Sequence, residues 1–126
     1  MAAGRYSFTL EEGATLNLQI NWSDGDGNPV DLTDYHSRMQ IRPSVESSTV
    51  LLSLSSSLSE DGTGINLSGS NGTTPLSSGS IAIQISAAAS EGLDFTDAYY
   101  DLEMVKNDFV VRLLEGRVKL SKNVTR

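Results

Sequence analysis

The chain has 126 residues, with 9 lysines and arginines against 16 aspartates and glutamates, one histidine and no cysteine, and a formal charge of −7. That length suits one domain, able to bury roughly two-thirds of its unfolded surface without covalent staples. The missing cysteines exclude disulfides, thiolate metal centres and thiol nucleophiles. The single histidine leaves little for a zinc site or a His-centred triad, and the acidic balance argues against a nucleic-acid partner.

Met1-Ala2-Ala3-Gly4-Arg5 lacks the apolar core of a secretory signal, and Gly4 is misplaced for myristoylation. No run approaches the ~18 apolar residues of a membrane helix. The expectation is a protein made in the cytoplasm, without membrane insertion. Tyr6, Phe8 and Leu10 alternate with Ser7 and Thr9 as in a half-buried strand, and Glu11-Glu12-Gly13 marks a turn. Leu16, Leu18, Ile20 and Trp22 alternate with Asn17, Gln19 and Asn21, which sends the apolar set to a core and the amides to the other face. Ser23 to Pro29 is a loop rich in Asp and Gly. A strand follows at about Tyr35 to Ile41 and stops at Pro43, which cannot donate to a ladder.

Val50 to Leu54 reads as a short strand, Leu58 to Gly64 as a serine-rich turn and Gly64 to Leu67 as a brief strand. Gly69 to Ser80 is a low-complexity connector, expected to be the most mobile stretch. Ile81, Ile83 and Ile85 alternate with Ala82, Gln84 and Ser86, and residues 87–92 carry a helical bias of one or two turns. Tyr99 to Val105 and Phe109 to Leu114 pair across an Asn107-Asp108 turn, Glu115-Gly116 reads as a bulge or turn, and Val118 and Leu120 lie in a last strand. Seven to nine short strands without βαβ alternation predict a single all-β domain over residues 1–126. The expected form is an immunoglobulin-like antiparallel β-sandwich, with a small barrel as the rival.

Few residues suggest chemistry. Asp24, Asp26 and Asn28 place three oxygen side chains at alternate positions, as a weak calcium site would; the competing reading is a glycine-rich hairpin loop. The EF-hand pattern fails at Pro29, where its glycine belongs, and at Tyr35, where its bidentate glutamate belongs. His36 fits a surface or edge-strand position, and Trp22 fits a core anchor better than a sugar platform. Tyr99 and Tyr100 straddle both faces of a strand. Arg38 and Arg42 share a strand face, and with Arg112 and Arg117 of the last hairpin they either pair with Asp101 or Glu103 or form an interface between subunits. No Gly-x-Ser-x-Gly elbow or phosphate-cradling loop before a helix occurs, so the sequence argues against an enzyme.

Tyr100-Asp101-Leu102-Glu103, Val111-Arg112-Leu113-Leu114-Glu115-Gly116-Arg117-Val118, Leu120-Ser121 and Val124-Thr125-Arg126 form the most distinctive stretch. With Gly13, Ile20-Asn21-Trp22, Asp31-Leu32-Thr33 and Met39-Gln40-Ile41-Arg42, it resembles small bacteriophage and prophage virion proteins; residues 44–80 match no part of that pattern. The resemblance implies a structural protein with an immunoglobulin-like sandwich, working through protein–protein contacts in the tail, its fibres or the baseplate periphery. Its partners are then other virion proteins and further copies, and its location is the virion. Capsid decoration is the alternative placement, and a receptor- or carbohydrate-binding module holding calcium is a second alternative. The stretch Lys122-Asn123-Val124-Thr125-Arg126 is basic in an acidic chain, and is expected to dock on a neighbouring acidic subunit.

Overall fold

The computed structural model describes residues 4–69 and 72–122. Within them lie strands β1 (Gly4–Arg5), β2 (Phe8–Glu11), β3 (Leu16–Asn21), β4 (His36–Arg42), β5 (Leu52–Ser55), β6 (Gly64–Asn66), β7 (Ser80–Ile85), β8 (Asp97–Lys106) and β9 (Phe109–Ser121). One short helix, α1 (Ala87–Glu91), and a 3-10 turn at Leu76–Ser78 complete the regular structure. The larger sheet runs β1–β9–β8–β4–β5, with β2 also paired to β9, and the smaller runs β3–β7–β6. The chain crosses between sheets after β2, β3, β5 and β7, which is the Greek-key path of an immunoglobulin-like sandwich.

The alternation seen in the sequence sets which side chains enter the core. Leu10, Met39, Ile41, Leu102, Met104 and Val118 of the larger sheet and Ile65, Ile81, Ile83 and Ile85 of the smaller form one cluster, each at most 1 % exposed. Burial of such a side chain is worth ~1.5–3 kcal/mol. Leu16, Leu18 and Ile20 pack against the cluster but stay half-buried, because β3 is an edge strand. The outer face of the smaller sheet carries Asn17, Gln19, Asn21, Asn66 and Gln84 and no ionisable side chain. Helix α1 starts where the Ser86 hydroxyl accepts the Ala89 N–H at 3.0 Å. Buried Ser90 then accepts the Gly13 N–H at 3.0 Å and faces the Ala14 and Ala87 carbonyls at 3.1 Å, fixing the turn before β3 to the helix.

The N-terminal edge departs from antiparallel pairing. Both β1 and β2 run parallel to β9 in one continuous register, Gly4 opposite Leu114 and Phe8 opposite Val118. The edge is interrupted at Tyr6-Ser7. The Tyr6 N–H still reaches the Glu115 carbonyl at 3.0 Å, but the Tyr100 hydroxyl donates to the Tyr6 carbonyl, and the Arg117 N–H goes to Ser7 Oγ at 3.2 Å. One ladder bond is thus replaced by two side-chain bonds. Gly116 lies beneath this exchange: a Cβ there would overlap the Tyr6 carbonyl and come within 3.2 Å of Tyr100 Cε1.

That close approach explains the glycine that the sequence suggested as a bulge or turn. Strand β9 is continuous through Glu115-Gly116, and its irregularity lies earlier. Leu102 pairs with Leu114 and Glu103 with Arg112, so Leu113 is the extra residue of a bulge. The Asn107-Asp108 turn is formed, with Asn107 at φ 54. The 69–80 connector is tied at its far end, where the Leu32 N–H bonds the Leu76 carbonyl at 2.9 Å and the Trp22 N–H bonds that of Gly79 at 2.8 Å.

Candidate functional site

The outward side chains of the larger sheet form cross-strand rows. His36, Val105 and Val110 make an upper row. Below it lie Arg38, Glu103 and Arg112, then Gln40, Asp101, Glu115 and Arg5, then Arg42, Tyr99 and Arg117, then Asp97, Lys119 and Thr9, and last Ser121 and Glu11. The Leu113 bulge makes this possible. Arg112 and Glu115 are three apart and would point to opposite faces of a regular strand; the extra residue turns both outward.

Both fates proposed for the arginines of β4 bear on this face. Arg38 Nε meets Glu103 Oε1 at 2.6 Å, and Arg112 Nε lies 3.5 Å from Asp101 Oδ2. Arg42 holds Gln40 Oε1 through Nε (3.2 Å) and Nη2 (2.7 Å) and donates from Nη1 to the Ser47 carbonyl at 2.6 Å. The Arg117 guanidinium lies 5.5 Å from the Tyr99 ring centroid. Exposed pairs of this kind add only ~0–1 kcal/mol each, so their main effect is to orient the side chains. The Arg38 and Arg112 side chains remain 56 % and 55 % exposed. Arg42, Ser44, Val45, Tyr99, Asp101 and Glu115 help line a cleft of about 300 Å³ over the centre of the face. Burial lifts the Asp101 carboxyl above its usual range; Arg112 pulls it back, while Glu103 and Glu115 add to the lift.

The Asp24–Asn28 segment is a braced loop. Asp24 Oδ1 accepts the N–H groups of Asp26 (2.9 Å) and Asn28 (3.0 Å), and Ser23 bridges to Pro29. One of the oxygens proposed for calcium therefore serves the loop's own amides, as in an Asx turn. Among the described residues, no three His, Cys, Asp or Glu side chains are grouped to hold a metal ion. Farther along, Asp31 Oδ1 accepts both the hydroxyl (2.6 Å) and the N–H (3.0 Å) of Thr33, which hold its carboxyl below the usual range. Trp22 stacks edge-on to Tyr35 at 5.5 Å, and Lys106 Nζ lies 5.6 Å from the Tyr35 centroid, so the tryptophan serves packing. His36 is exposed at the start of β4. At the tip of the β8–β9 hairpin, Phe109 and Val110 are 58 % and 49 % exposed.

Of the basic tail, Lys122 is described and residues 123–126 lie outside the described residues. Lys122 Nζ contacts Asp94 Oδ1 at 2.7 Å and reaches Glu12 Oε2 at 4.0 Å, so the acids it meets belong to its own chain. Donating a hydrogen bond to Asp94 raises the lysine above its usual range, and the same bond lowers the Asp94 carboxyl.

Arg5, Glu115 and Lys119 are members of the charged face that the sequence did not suggest. Arg5 joins it only through the parallel pairing of β1 with β9, and Glu115 only through the bulge. No helix is long and apolar enough among the described residues to cross a membrane. No family model matches the chain, and no curated protein sequence matches it.

Proposed function

We propose that the chain is a structural protein of a bacteriophage virion, placed in the tail, its fibres or the baseplate periphery and acting through protein–protein contacts. One observation carries this reading. The residues of the virion-protein resemblance divide into two sets on β8 and β9. Tyr100, Leu102, Val118 and Leu120 are buried, and Gly116 lies under the Tyr100 contact; Asp101, Glu103, Arg112, Glu115 and Arg117 make the outward face. A pattern that encodes both a sandwich core and an ordered charged surface suits a subunit built to be joined. The tail belongs to the same reading: Lys122 holds its start against Asp94, and residues 123–126 are the proposed contact with a neighbour.

The test is antibody labelling of intact particles, viewed by electron microscopy. Tail, fibre or baseplate label is expected. Label spread over the head would move the protein to capsid decoration, and particles free of label would overturn the virion role. Deletion of Asn123–Arg126 should leave the fold intact and prevent incorporation; normal incorporation would remove the tail from the contact.

A further inference from the structure

Charge is distributed unevenly over the surface. Arg5, Arg38, Arg42, Arg112, Arg117 and Lys119 lie on the outer face of the larger sheet, where Glu11, Asp97, Asp101, Glu103 and Glu115 oppose them. Six of the chain's 9 cations and five of its 16 acids give that face a net charge of +1, within a chain of −7. Elsewhere among the described residues lie two cations and eleven acids, a net −9. The smaller sheet contributes nothing to this excess, since its outer face is uncharged. Much of the excess lies on one loop, where Asp24, Asp26, Asp31 and Asp34 are all exposed and make no ion pair among the described residues.

Both surfaces are set before any contact. The face is held by its own ion pairs and the Tyr99–Arg117 contact. The loop is held by the Asp24 turn, the Ser23–Pro29 bridge, the Asp31–Thr33 bonds and buried Leu32. Preset, oppositely charged surfaces lose little side-chain entropy on joining and steer each other into register. The loop follows β3 at one end of the sandwich and the face is its flank, so one copy does not satisfy itself.

We propose that the cationic face of one copy docks the Asp24–Asp34 loop of a second copy. The contact is end to side and heterologous, so each copy keeps one free loop and one free face. It builds rings or open rows rather than two-fold dimers. This inference deepens the proposed structural role and rests on it for its setting in the particle.

Sedimentation of the full chain tests it. Mass should rise above monomer with concentration at ~20 mM salt and return to monomer at ~0.5 M, where the Debye length falls from roughly 20 Å to about 4 Å. R112E/R117E removes the face and D26K/D34N the loop; R112Q/R117Q and D26N/D34N repeat the test with milder changes, and circular dichroism verifies folding. Each variant alone should stay monomeric, while an equimolar mixture of a face variant and a loop variant should give a 1:1 dimer and nothing larger. A wild type that stays monomeric at low salt, a species that stops at a salt-resistant dimer, or a mixture that does not pair would overturn the proposal. Any of these with the chain still labelled on particles would leave the virion role standing and remove only the self-docking contact.

Discussion

The Tyr100 hydroxyl joins the N-terminal edge to the middle of the larger sheet, and Tyr100→Phe removes one oxygen from that junction. The ring is 4 % exposed and its hydroxyl donates to the Tyr6 carbonyl. Without that donor the carbonyl loses its partner, a change that costs ~1–2 kcal/mol where water has partial access, as beside the half-exposed Tyr6. For a domain of this size the melting temperature should fall by roughly 3–10 °C at pH 7. A second signature separates this bond from ordinary packing. Burial, with Tyr6 adding to it, pushes the Tyr100 phenol up to about 12, against an ordinary value of 10.0. Between those values the unfolded chain has shed a proton that the folded chain keeps, so wild-type stability falls as pH rises, by ~1.4 kcal/mol per pH unit. About 2–3 kcal/mol is lost by pH 12, and the phenylalanine variant lacks that loss. Urea unfolding of both proteins at pH 7 and pH 11 reads the difference, with the remaining tyrosines common to both. The gap should narrow at pH 11. Equal stability at pH 7, or the same gap at both pH values, would refute the role given to this hydroxyl.

Gly116→Ala tests the same junction from below. Its methyl group meets the Tyr6 carbonyl and the Tyr100 ring, so a loss of ~1–3 kcal/mol is expected, with faster hydrogen exchange at the amides of β1 and β2; unchanged exchange there would contradict the close approach. Asp101 makes a prediction of opposite sign. Its carboxyl is raised, so just above pH 3.8 the folded chain binds the proton more readily, and the Asp101 contribution to stability declines as pH rises through that window. Asp101→Asn should therefore be at least as stable as wild type at pH 7 and less dependent on pH above 3.8, as read by urea midpoints; a less stable variant at pH 7 would show that the Arg112 pair outweighs burial.

Strand periodicity made most of the fold legible. Ile81, Ile83 and Ile85, or Met39 and Ile41 between arginines, leave few choices for which face is buried, because each slip would expose an aliphatic row. Asp24, Gly25, Asp26 and Gly27 announced a tight loop as clearly as a metal site, since the same short oxygens serve both. The direction of β1 and β2 was not legible: alternation is the same for parallel and antiparallel neighbours, and their partner β9 lies about a hundred residues away. Nor was the bulge, because Leu113-Leu114 reads as an ordinary apolar pair until Leu102 and Glu103 show that the register shifts there. The charged face depends on both features. Gly116 marks no turn: its smallness is required by a ring on the next strand and a carbonyl far away in sequence.

Quantitative mass spectrometry of gradient-purified particles bears most directly on the virion role. A structural subunit predicts the chain in fixed ratio to the other virion proteins across preparations, persisting through washing. The chain abundant in the infected-cell lysate but missing from those particles would contradict it.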